Sequence, residues 1–324
     1  MAVMAGSLKG VGPIPDQATI ARFDVVDTQL HVKTGMIDAT IEAMDAIGVR
    51  SVLIDEFWAS RGGPHPAHFE PGYLLSNGSW RAAWPTAEQA SLRHPDRFSY
   101  LVRIDPRDPD LEVVMRFVAS SPNARAFRLQ PVWTVDDVEH FAEGGYDHLF
   151  DIAGDLGLPL FIFIPGHVEL LARYARRFPE VTCIVDHCGM GFRGIPAGRP
   201  AAEAASTRDP AYFEEVLRLA EFPNVLLKWA HAQDAFGASA YPYESLRPTL
   251  RRAIEAFGAD RLMWASDKSV MVGHTWGDLL RCVSDDPALS LDEKQWILGK
   301  TARSVLRWPT TEANDDARQE DRSR

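Results

Sequence analysis

The sequence predicts an α/β fold, a single (β/α)8 barrel, and three observations carry that expectation. Eight short runs with strand character recur along the 324 residues, each followed by a stretch of helical pattern. Several runs are apolar on both parities, as parallel strands covered on both faces require. Nearly every run ends in side chains able to do chemistry. A closed barrel gathers such ends on one face, whereas an open doubly wound sheet spreads them across its width. No Gly-rich phosphate loop follows the first run, where a dinucleotide fold needs one.

The runs are FDVVD (23–27), SVLID (51–55), FSYLVRI (98–104) and ARAFRLQ (124–130), then LPLFIFI (158–164), VTCIVD (181–186), NVLLKWA (224–230) and RLMWAS (261–266). Between them lie amphipathic stretches such as ATIEAMDAIG, DLEVVMRFVAS, HVELLARYARRF and YFEEVLRLAEF. Two connections are long: 56–85 after the second strand and 188–208 after the sixth. Both leave the catalytic end of the barrel and are expected to wall off a pocket. Residues 1–20, rich in small residues, Gly and Pro, read as a flexible arm, and 21–308 as the barrel. Residues 309–324 read as a disordered tail, because the last fifteen contain no large apolar residue.

A hydrophobic content of 46% is enough for a large core. The net charge of −11 comes without a basic stripe, which argues against nucleic acid as a partner. No apolar run approaches the roughly 20 residues of a membrane helix. Cys183, Cys188 and Cys282 show no CxxC spacing, and no leader-like segment opens the chain, so a reduced, cytoplasmic protein is expected. Nine Trp point to a ring-lined pocket for a small-molecule substrate, with Trp58, Trp80 and Trp264 as wall candidates. Core packing is the commoner explanation for any one of them. Exposed Trp and Phe are compatible with a homodimer.

Three segments carry the chemistry. In DTQLH (27–31), residues two apart on a strand share a side, so Gln29 and His31 project together into the barrel mouth. The plainer reading is a His that caps the strand end. In IVDHCG (184–189), His187 lies across the barrel from His31 and can polarise a carbonyl or pass a proton; alternatively it is a buried His satisfied by a neighbour. In RLMWASDKS (261–269), Asp267 falls beside the first strand by closure, placed to deprotonate a water or to cap the next helix. Glu56, Arg103, Asp105, Arg128, Lys228 and His231 end the remaining strands. Cys188 adjoins His187, but no nucleophile-elbow pattern surrounds it.

Together with LPLFIFIPGHVELLARYARRFPEVTCIVDHCG, these segments resemble the amidohydrolase superfamily over residues 23–307. The similarity is to its lactonase-like branch, which takes in 2-pyrone-4,6-dicarboxylate lactonase and the sugar-acid lactonases. DTQLH looks like the D-x-H-x-H opening with Gln29 at the first His, and RLMWASDKS like the G-S-D-W-P ending with Ala265, Lys268 and Ser269 as departures. The resemblance implies that His31 and His187 polarise a scissile carbonyl while Asp267 acts as general base on water. It further implies that Arg128 binds a substrate carboxylate, unless it is spent on a salt bridge, and that Lys228 and His231 add substrate contacts. Gln29, Glu56 and Trp58 complete the candidate binding set.

A catalytic zinc needs about three protein ligands. Metal-dependent relatives take two from strand one, one from strand five and an Asp from strand eight. Here strand one offers Gln29, a poor zinc ligand, and strand five ends in Phe163 and Ile164, with His167 further on. His31 and Asp267 remain, with His187 as a third. The expectation is therefore a hydrolase of a small, carboxylate-bearing lactone that uses no metal and no cofactor, with a single zinc as the alternative. General acid–base help contributes about 10²–10⁴-fold and a polarising donor about 10²–10³-fold, which suits an activated ester better than an amide. Two other functions stay open: a metal-dependent non-oxidative decarboxylase of an aromatic or muconate-type acid, and a repurposed barrel acting as a tailoring cyclase or isomerase.

Overall fold

The structure is a computed structural model and describes residues 10–56, 71–132, 134–191 and 209–309. Strand β1 (Val26–Leu30) pairs in parallel with β2 (Ser51–Asp55). A small antiparallel hairpin follows, β3 (Gly72–Leu74) with β4 (Trp80–Ala82). The main sheet continues through β5 (Phe98–Arg103), β6 (Ala124–Leu129), β7 (Leu160–Ile162), β8 (Cys183–Val185), β9 (Val225–Trp229) and β10 (Leu262–Trp264). Its eight strands run in chain order, all parallel. β10 lies back against β1, where the Thr28 hydroxyl donates to the Trp264 carbonyl at 2.7 Å and the Asp267 amide to the Gln29 carbonyl at 3.1 Å. That seam closes the (β/α)8 barrel.

Seven of the eight expected runs contain a whole strand, the second matching its strand end to end, while the first run only overlaps β1. The first begins at Val26 rather than Phe23, because Asp24 takes a left-handed φ of 45°, and it runs on to Leu30. The hairpin after β2 was not foreseen, since three-residue strands are too short to show a period. Residues 57–70 and 192–208 of the two long connections lie outside the described residues, and Trp58 with them.

Alternation along the strands fills the barrel with one side chain from each: Val26, Leu53, Leu101, Ala126, Phe161, Ile184, Leu226 and Met263. Ala302, Leu306 and Trp308 from the C-terminal helical segment pack against this apolar ring and close the N-terminal end of the barrel. The middle of the barrel is therefore solid and apolar; at the N-terminal end the buried Ser51 hydroxyl accepts from Arg303 at 2.9 Å, and the strand-end charges lie at the other end.

Strand β1 breaks the alternation. Asp27 faces Val52 and Leu30 faces Ile54, so three steps on β1 match two on β2. The extra residue is a bulge. It shifts the parity, so that Val26 and then Gln29 serve the interior while Asp27 turns outward to Ser266 and the indole N–H of Trp276.

The flexible-arm expectation for residues 1–20 needs correction over 10–20. The Trp276 and Gly277 amides donate to the Gly10 and Val11 carbonyls at 3.0 and 2.7 Å, and Ile20 is buried. Gly277 is required there, because a Cβ would collide with the Pro13 carbonyl. Backbone anchors of this kind leave no mark in composition. Residues 1–9 and 310–324, most of the expected tail, lie outside the described residues. Among the described residues no helix is long and apolar enough to cross a membrane.

Candidate active site

Two residues beyond the apolar ring, five strands place a charge: Asp55, Arg103, Arg128, Asp186 and Lys228. All are buried or nearly so, and they pair with one another. Arg128 Nε donates to Asp186 at 2.7 Å, and its Nη1 to Asp55. Arg103 holds the same Asp55 by two hydrogen bonds of 2.9 and 2.8 Å. Lys228 Nζ lies 2.5 Å from Asp186 and also donates to the Gln29 side-chain carbonyl. Buried ions cost several kcal/mol each unless fully paired, so this network has to close on itself. Burial pushes the Asp55 carboxyl up, yet Arg103 and Arg128 outweigh it and hold the group below its ordinary value.

Above this layer sit His187, His231 and Asp267, each just past a strand end. All three adopt left-handed backbone, with φ of 53°, 55° and 44°. Such residues cost about 1–3 kcal/mol each and persist only where the surroundings fix them. Holding three of them on neighbouring strands is an investment in placing side chains.

Asp267 is the hub. Its Oδ2 accepts from His231 Nε2 at 2.9 Å and from the Gln29 amide at 3.0 Å, while Oδ1 lies 3.2 Å from His31 Nε2. The other His31 nitrogen, Nδ1, lies 2.8 Å from the Asp55 backbone carbonyl. Both His31 nitrogens thus face acceptors, which calls for the doubly protonated ring. Burial disfavours that charge, but Asp267 and Asp55 overcome it and raise the His31 pKa. Reciprocally, burial pushes Asp267 up, but His31 and His231 carry it well below the ordinary carboxylate range.

His187 behaves oppositely. Burial and the charges of Lys228, His231 and Arg128 hold it well below the usual imidazole value. Its Nε2 is 3.2 Å from Arg128 Nη2, and because a guanidinium only donates, Nε2 accepts and the neutral ring carries its proton on Nδ1. The His187 and His231 rings meet edge to face at 4.5 Å. Burial drives the neighbouring Cys188 thiol up to about 12, so it is no nucleophile at neutral pH.

His187, His231 and Asp267 each offer a ligand atom within 4.8 Å of the others. Two imidazoles and a carboxylate, all buried, fit a single zinc-type ion with an open position. The sequence placed His31 rather than His231 in that set; only the tertiary fold brings His231 in.

The remaining candidates are met as follows. Gln29, Arg128 and Lys228, expected to touch substrate, all bond to protein groups within the charged network. Glu56 accepts from the Thr86 and Ala87 amides at 3.3 and 2.7 Å, capping the helix Pro85–Arg93. Trp264 belongs to the core, while half-buried Trp80 lines a cleft with Trp84, Arg103 and Asp105. Arg103 is more exposed than Arg128, with side chains 11% and 3% accessible.

The profile of a family described as Amidohydrolase matches residues 26–308. An L-fucono-1,5-lactonase from Burkholderia ambifaria is 30% identical over 186 residues, covering 54% of this chain and 57% of that protein. The chain thus spans little more than half the length of that relative. An amidohydrolase from Burkholderia multivorans with bound zinc superposes with a TM-score of 0.63 at 16% identity, over 88% of this chain and 99% of the other. A proposed 2-pyrone-4,6-dicarboxylic acid hydrolase from Pseudomonas putida gives 0.62 at 17%, over 88% and 98%.

Proposed function

Because the chain belongs to the amidohydrolase family, we propose that it is a hydrolase opening a small lactone or related cyclic ester by attack of water. The observation that carries this reading is the position of Asp267, charged and held by His31, His231 and Gln29 at the barrel mouth. The lactonase relative supports the ester class.

In this reading water attacks the ring carbonyl as its proton passes to Asp267. The His31 imidazolium and the Nδ1–H of His187 stabilise the oxyanion that forms. Collapse breaks the ring C–O bond, and Asp267 returns the proton to the alkoxide. A carboxylate kept so far down in pKa is a weak base, so the site suits an activated ester. Arg103 is the cation placed for a substrate carboxylate.

A second reading is a metal-dependent decarboxylase, favoured by the His187, His231 and Asp267 cluster and by the zinc in the Burkholderia multivorans neighbour. Those three residues would hold the ion, which supplies a Lewis acid and a more acidic bound water. Assay of Asp267→Asn on a lactone panel tests the first reading. Turnover should drop about 10²–10⁴-fold with ligand affinity kept. An active Asn variant removes the proposed base, and an absence of lactone turnover together with zinc- or manganese-dependent decarboxylation of an aromatic or muconate-type acid moves the assignment to the second.

A further inference from the structure

Lys228 is fully buried, and among the described residues its Nζ meets Asp186 Oδ1 at 2.5 Å, the Gln29 side-chain oxygen and the face of Phe161 at 5.2 Å. An ammonium has no acceptor, so the Gln29 oxygen must face it. The Gln29 NH2 is then forced to the far side, where it donates to Asp267 Oδ2 at 3.0 Å. One buried charge therefore dictates the orientation of an amide, and the amide holds the carboxylate.

The same charge bears on the metal-type cluster. Lys228 interacts electrostatically with both His187 and Asp267, and Arg128 already occupies His187 Nε2. In the described network Arg103, Arg128, Lys228 and the protonated His31 face Asp55, Asp186 and Asp267, so the positive charges already outnumber the carboxylates without an added ion. A divalent cation would enter a network that already carries excess positive charge, against the fixed ammonium of Lys228.

We propose that Lys228 is a built-in cation and a positioning residue: through Gln29 it fixes Asp267, and by its charge it weakens divalent-ion binding at His187, His231 and Asp267. Its kinetic half rests on the hydrolase reading above, while its ion-binding half stands without it.

The test is a zinc titration by calorimetry, with bound zinc measured by mass spectrometry, on chelator-treated full-length protein. Wild type should bind zinc weakly. Lys228→Met should bind one zinc per chain about tenfold or more tightly, as expected for removing a nearby charge in a medium of intermediate dielectric. Lys228→Arg, which keeps the charge, should match wild type. Gln29→Leu separates the two roles: its zinc affinity should stay at the wild-type level while kcat on the best lactone falls and KM holds. Equal affinity in wild type and Lys228→Met overturns the proposal, as does a Gln29→Leu variant that gains zinc as strongly. Should Lys228→Met fail to fold by circular dichroism, the wild type still decides: one zinc per chain retained against a chelator overturns it. Absence of lactone turnover in the wild type, with the zinc pattern intact, would instead count against the hydrolase reading.

Discussion

His31 Nε2 lies 3.2 Å from Asp267 Oδ1, and its Nδ1 lies 2.8 Å from the Asp55 carbonyl, so one imidazole bridges the first, second and last strands of the barrel. The pairing makes each partner hold its charge: the ring is raised in pKa and the carboxyl lowered.

The pH profile should follow from that pair. Activity needs Asp267 ionised and His31 protonated. The acid limb of kcat/KM should lie below the ordinary Asp value of about 3.9, and the basic limb above the ordinary His value of about 6.5. His31→Gln should abolish the basic limb and move the acid limb upward, because Asp267 loses its counter-charge. An unchanged basic limb in that variant would assign it to another group.

Metal removal provides a second check. If the chain's own charges perform the chemistry, exhaustive chelation should leave turnover within about twofold, since no catalytic ion is lost. Loss of activity on chelation and recovery with zinc would contradict that.

Asp27 offers a stability test. Burial raises its carboxyl to about 6, against the hydrogen bonds from Ser266, Gln29 and Trp276. A raised folded-state value means that folding takes up a proton. Its contribution is therefore largest below pH 4 and falls as pH rises toward 6. Relative to Asp27→Asn, which does not titrate, wild type should lose about 3 kcal/mol between about pH 3 and pH 7, most of it between pH 4 and 6. Denaturant melts of both proteins across this range would show a gap independent of pH if the assignment is wrong.

Truncating the same residue should cost more. Asp27→Ala strands the Ser266 hydroxyl and amide and the Trp276 indole, and should destabilise by at least about 3 kcal/mol. A thermal melt that barely shifts would mean those donors find other partners.

Cys188 should be dispensable for chemistry. Cys188→Ala should keep kcat within about threefold, because a buried thiol raised to about 12 supplies no thiolate. A variant with no activity but a native melt would reopen a covalent route.

The strand rhythm, the amphipathic stretches between, and the identity of the strand-ending side chains were set by the sequence alone, because local periodicity encodes which faces are buried. His31, His187 and Asp267 were legible for that reason, as residues just past predicted strands. Closure decided the rest. Lys228 meets Gln29 across 199 positions and Gln29 meets Asp267 across 238, separations at which no local pattern reports a contact. The β1 bulge that turns Gln29 inward is a register effect between two strands, visible only once they pair. Arg128 and Lys228, read as substrate contacts, became parts of a buried network because a charge inside a barrel must find its partner there. His231 joined Asp267 only when a left-handed turn beyond β9 delivered it.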